Sequence, residues 1–161
     1  MSDVIKGALL SKCERYRYRL TRHWDASRRA LPFVMLNPST ADADKDDPTI
    51  RRCMEFAKRE GMGGIVVVNL YAFRATKPLD MFSEPANVGP HNEDYLTEIG
   101  ATAVATGTPI VCAWGAHGHD SQRVIDLFRR QGANLVCFGK TKAGHPRHPL
   151  YVLGLQPLVP L

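Results

Sequence analysis

The sequence predicts an α/β fold: three layers, αβα, around a four-stranded, mainly parallel sheet, with an antiparallel strand or hairpin added at the N-terminal end. Three observations carry this. Short apolar, β-branched runs alternate with stretches whose apolar residues recur at helical spacing. Each run is closed by Gly, Pro or Asn, residues that stop a ladder. Strands joined through helices run parallel and are covered on both faces, which suits runs that are apolar throughout rather than alternating.

The elements follow in order. Glu14 to Leu20 alternates, with Arg15, Arg17 and Arg19 on one face and Tyr16, Tyr18 and Leu20 on the other. A period of two reads as a half-buried strand presenting an outward arginine row. Phe33-Val34-Met35-Leu36 is the first core strand, stopped at Asn37-Pro38-Ser39-Thr40. After an acidic loop (Asp42, Asp44, Asp46, Asp47), Asp47 caps a helix over 48–60 with Pro48 at its first position and Ile50, Cys53, Met54 and Ala57 on its buried face. Ile65-Val66-Val67-Val68 is the second core strand, ending in Asn69-Leu70-Tyr71-Ala72-Phe73-Arg74. Residues 75–91 read as a crossover without regular structure, and Asn92 as the cap of a helix carrying Tyr95, Leu96, Ile99 and Ala103. A third strand at 109–114 closes in Gly115-Ala116-His117-Gly118-His119. Asp120 or Ser121 caps the next helix, which Gly132 ends. A fourth strand spans 134–138, and the turn His145-Pro146-Arg147-His148-Pro149 leads to an apolar tail expected to pack as a cover.

The 161 residues read as one domain over 1–161, with 44% apolar and 23% charged residues, a soluble globular composition. No apolar run nears the ~20 residues of a membrane span, and the first ten residues do not form a secretory signal. A cytoplasmic protein without a membrane partner is expected. The four cysteines lack metal or CxxC spacing and read as free thiols, three of them buried. A net charge of +5, gathered in the N-terminal arginines, favours a polyanionic partner. The arginine row and Arg147 are the candidate phosphate-backbone contacts; a solvated charged face is the alternative.

In a parallel sheet the strand exits share one edge, and there the unusual polar residues fall. Asn37 follows the first strand, as a turn former or a ligand contact. Asn69 follows the second; its amide offers a donor and an acceptor to a planar base edge, or caps the strand. The acids at 42–47 lack a calcium-loop pattern and suit a helix start. His117 and His119 read as a surface loop, so neither metal nor cofactor is expected. Gly-x-Ser-x-Gly, the phosphate loop and the dinucleotide fingerprint are absent, which argues against a serine hydrolase, an NTPase and a dinucleotide enzyme.

The segments LNPSTAD, DPTIRR, VVVNLYAFRAT, CAWGAHG and TKAGHPRHPLY resemble a bacterial and phage family known only as a domain of unknown function. More remotely, the succession strand–N-P-S, strand–N-L, strand–W-G, strand–H-P resembles the uracil-DNA glycosylase superfamily. That resemblance implies strand order 2-1-3-4 and a pocket for a flipped base. It implies Asn37 as the residue that positions water, Asn69 as the base reader and His148 as stabiliser of the departing base, with His145 competing for that role. Ser39, Tyr71, Phe73, Arg74, Trp114 and Gly115 fall in the same loops as candidate substrate contacts. The expected function is an N-glycosylase acting on a damaged or modified base in DNA; a non-catalytic base-binding module and an enzyme of free nucleosides or nucleotides are the alternatives.

Overall fold

The computed structural model describes residues 3–161. Its centre is a mixed sheet of seven strands: β1 (Ile5–Leu10), β2 (Arg17–His23), β3 (Ala30–Met35), β4 (Gly64–Asn69), β5 (Ile110–Cys112), β6 (Leu135–Cys137) and β7 (Val159–Pro160), in the order β1-β2-β4-β3-β5-β6-β7. Four helices accompany it: α1 (Pro48–Arg59), α2 (Pro78–Phe82), α3 (Asn92–Thr106) and α4 (Ser121–Arg130).

The sheet departs from the expected four strands. Neighbours among β4, β3, β5 and β6 pair in parallel. The β1–β2 hairpin joins antiparallel to β4, and the C-terminal tail adds β7 antiparallel to β6. The two end pieces make the sheet mixed. Pro32 is tolerated inside β3 because the pairing with β5 begins at Phe33, leaving Pro32 flanked by β4 alone.

Alternation along β3 divides the core. Phe33 and Met35 pack with Ile50, Cys53, Phe56 and Ala57 of α1, and Val34 packs with Leu96 and Ile99 of α3 and Val124 and Phe128 of α4. The α1 start behaves as its sequence dictates: Asp47 Oδ1 accepts from the Ile50 N–H at 2.9 Å, with Pro48 in the first turn. No helix among the described residues is long and apolar enough to cross a membrane.

Three local expectations are corrected. Asn92 does not cap α3; His91 holds the cap position, and Asn92, buried, donates its Nδ2 to Asn69 O (2.9 Å) and Leu70 O (3.3 Å), satisfying carbonyls where β4 leaves the ladder. The crossover contains the short α2. The tail covers only in part: Val152 and Leu158 pack on the core, whereas Tyr151, Leu153 and Leu155 are exposed.

The arginine row is the largest correction. A register shift between Leu9 and Leu10 interrupts the β1–β2 pairing opposite residues 17–19, so strict alternation fails there. Arg15 is exposed, Arg19 pairs with Glu98 at 3.2 Å, and Arg17 is buried at 2% exposure. The three do not form an outward row.

Candidate functional site

The carboxyl ends of β3, β4 and β5 and the turn after Arg147 surround a cavity of about 710 Å³, within the roughly 300–1,000 Å³ typical of small-molecule sites. Met35 and Val67 form an apolar floor, Trp114 a wall, and Tyr151 stands at 78% exposure beside His148, ring centroids 5.6 Å apart.

Asn69 is the last residue of β4 and lines this cavity at 1% exposure. Neither Nδ2 nor Oδ1 has a hydrogen-bond partner. Buried amides are nearly always paired, and an unpaired one costs roughly 1–3 kcal/mol per group. The side chain therefore does not cap the strand end.

Asn37 also lines the cavity, but its Nδ2 is engaged: it donates to Ala75 O at 2.9 Å, Pro38 O at 3.0 Å and Phe73 O at 3.4 Å. The amide pins the loop after β4 to the loop after β3. Its Oδ1 accepts no hydrogen bond among the described residues.

His148 precedes a single 3-10 turn at 149–151, and its Nδ1 accepts from the Leu150 N–H at 3.2 Å. That bond fixes the neutral tautomer with the proton on Nε2. Burial pushes the imidazole pKa below its ordinary value, opposed by the negative charge of Asp47. Gly115 is required opposite it: its φ is +76°, and a Cβ there would lie 3.4 Å from His148 Cβ.

Ser39, Trp114, Gly115 and Arg147 line the same cavity, as their positions after the strands predict. Tyr71, Phe73, Arg74 and His145 do not. Tyr71 is buried edge-on to Phe82 at 5.4 Å, Phe73 packs edge-on to Tyr16 at 5.9 Å, and Arg74 Nη1 donates to Glu14 O at 3.1 Å. His145 lines a separate, more polar depression with His119, their rings 5.9 Å apart. Arg17 enters the cavity instead, together with Asp47, Thr76 and Tyr151. The bulge that turns Arg17 inward has no signature in the alternation. Asp47 and Tyr151 were legible as a cap and as part of the tail, not as cavity residues.

The acidic loop is committed to structure. Asp42 Oδ1 accepts from the Asp44 and Lys45 N–H groups, both at 2.8 Å, which lowers its pKa. Burial alone would raise the Asp46 carboxyl, but the Arg22 hydrogen bond at 2.7 Å, with Lys6 at 3.4 Å, outweighs it and lowers the pKa.

A family model described as "Protein of unknown function (DUF1643)" matches residues 17–150. The chain belongs to this family. No curated protein and no solved structure matches it. The DUF1643 match runs from Arg17 to Leu150 and so takes in every residue lining the cavity except Tyr151.

Proposed function

We propose that the cavity takes a nucleobase and that the protein cleaves the N-glycosidic bond of a damaged or modified base in DNA. One observation carries the reading: the buried Asn69 amide, unpaired at both atoms, in a cavity at the strand carboxyl ends. An amide in that state matches the adjacent donor and acceptor on a base edge. The adjacency β4-β3-β5-β6 supports it, being the order implied by the resemblance to the uracil-DNA glycosylase superfamily.

A base inside a duplex is out of reach, so the nucleotide must be extruded, at roughly a few kcal/mol. Asn69 then reads the base edge and Trp114 supplies the flanking wall. In hydrolysis a water oxygen bonds to the sugar C1′ and the C1′–N bond breaks, its electron pair leaving with the base, which takes up through solvent the proton that the water loses. The charge on the departing base is met by the His148 Nε2–H, a neutral donor at pH 7. Removing one such donor from comparable sites costs about 2.7–4 kcal/mol of barrier. Asn37 Oδ1 accepts from the water and orients it; an amide takes no proton at neutral pH, so turnover is slow. An Asn37→Asp change does not repair this, because it sets a carboxylate against the three carbonyl oxygens that Nδ2 now bonds.

That same engagement of Asn37 favours a second reading, a base-binding module without turnover. Single-turnover incubation with a panel of modified-base oligonucleotides, followed by alkali, separates the two. The proposal expects strand breaks at one modification, lost in His148→Ala and Asn69→Ala. Base analogues that bind and protect Asn69 without any cleavage establish the module. Cleavage at the wild-type rate in both variants moves the site elsewhere.

A further inference from the structure

Arg17 lines the cavity at 2% exposure, and no carboxylate among the described residues is in ion-pair contact with it. Nη1 donates to Ala41 O at 2.9 Å; Nε is buried without a partner, and Nη2 makes no hydrogen bond among the described residues. Asp47 and Asp42 attract it only from beyond ion-pair contact. Asp47 Oδ1 takes the Ile50 N–H and Asp42 Oδ1 takes two loop N–H groups, and neither is in ion-pair contact with Arg17. Arg74 and Arg22 add like charge nearby. Burial pushes the Arg17 pKa down to about 10, so the guanidinium keeps its proton at neutral pH.

A buried cation without a counter-charge in contact is expensive, and chains hold one where something else supplies the contacting negative partner. The position is built, not incidental. The Arg17 N–H bonds Ala72 O at 3.0 Å, three residues past Asn69, so the first residue of β2 is held beside the chain that leaves the end of β4. Hydroxyls of Ser39, Thr40, Thr49 and Thr76 line the same space and add neutral donors.

We infer that the cavity's ligand is anionic, and that a carboxylate or phosphate oxygen of that ligand docks on the free N–H groups of Arg17. This deepens the base-reading proposal for Asn69, but the charge argument stands without it. Two sources share the chemistry: a carboxyl group on the base itself, or the phosphate of a nucleotide.

Calorimetric titration at neutral pH distinguishes them. The probes are uracil against its carboxylated counterpart orotate, uridine against its 5′-monophosphate, and inorganic phosphate alone. Tighter binding of orotate than uracil identifies a base carboxylate; tighter binding of the monophosphate than uridine identifies a phosphate, as does binding of inorganic phosphate. Either preference should fall in Arg17→Gln by roughly tenfold to a hundredfold, the range for one hydrogen bond to a charged group, and return in part in Arg17→Lys. Equal binding of charged and neutral members overturns the inference, as does an undiminished charge preference in Arg17→Gln or no binding by any probe. The wild-type comparison needs no variant, so a misfolded Arg17→Gln leaves it decisive. Asn69→Ala should weaken charged and neutral probes alike. If it changes nothing while the charge preference persists, the base reading fails and the anion subsite stands.

Discussion

Two arginines on β2, five residues apart, are both buried and end in opposite situations. Arg22 is saturated: Nε pairs with Asp46 at 2.7 Å, Nη1 donates to Thr21 O and Gly7 O, and Nη2 donates to Asp42 O and Lys45 O. It is the latch that closes the acidic loop onto the hairpin. Arg17, which lines the cavity, reaches one carbonyl with its side chain and leaves Nε without a partner. The difference separates a buried charge that the fold itself completes from one that, on the inference above, a ligand completes. A buried charge left short of partners costs stability in the free protein.

The largest expected effect lies at the latch. Arg22→Met should lower stability by about 3–5 kcal/mol, because it removes five hydrogen bonds and leaves Asp46 with Lys6 as its remaining ion-pair partner. Arg17→Met, at equal burial, should leave the unliganded protein as stable as before or more so. Urea melts of both variants check the pair, and equal losses break the comparison. Next comes Asn69→Ala. Relief of an unpaired amide offsets the small void, so unliganded stability should change by under about 1 kcal/mol while base binding is lost. A loss well beyond that identifies Asn69 as a structural residue.

His148 sharpens the contrast by pH. Its folded pKa lies below the ordinary histidine value, so the unfolded chain binds the proton more readily. Its contribution is therefore fully present above about pH 6.5 and is lost as pH falls through the lowered folded value. Melts from pH 7.5 downward should show this decline, and His148→Gln should flatten it. The smallest effect belongs to the exposed Arg19–Glu98 pair: Arg19→Gln should cost under about 1 kcal/mol, and less in high salt.

Much of the scaffold was legible because local chemistry and tertiary context agree there. The runs 33–36 and 65–68 are apolar on both faces because both faces are covered, and Asp47-Pro48 writes the start of α1. Asn37, Asn69, Trp114 and His148 were readable as cavity residues because strand exits converge on one edge. Other features depended on partners far away in the chain. Arg17 turns inward through a pairing irregularity in the hairpin, and Val159–Pro160 becomes a strand only because β6 offers an open edge. Tyr71 and Phe73 follow the right strand, but their rings find Phe82 and Tyr16, outside the 710 Å³ cavity. Asn92 reads as a cap from its neighbours and is instead recruited by the carbonyls of Asn69 and Leu70.

The central claim is that Asn69 is an unpaired reader of a base edge. Its side-chain NH2 can be followed directly by ¹⁵N-resolved NMR while free bases and nucleoside monophosphates are titrated in. The account predicts that at least one base shifts downfield the Asn69 amide proton that gains an acceptor, with the Asn92 NH2 unmoved because it is already bonded to Asn69 O and Leu70 O. Asn69 protons that stay fixed while a base binds elsewhere, or a panel that produces no response at all, would contradict it.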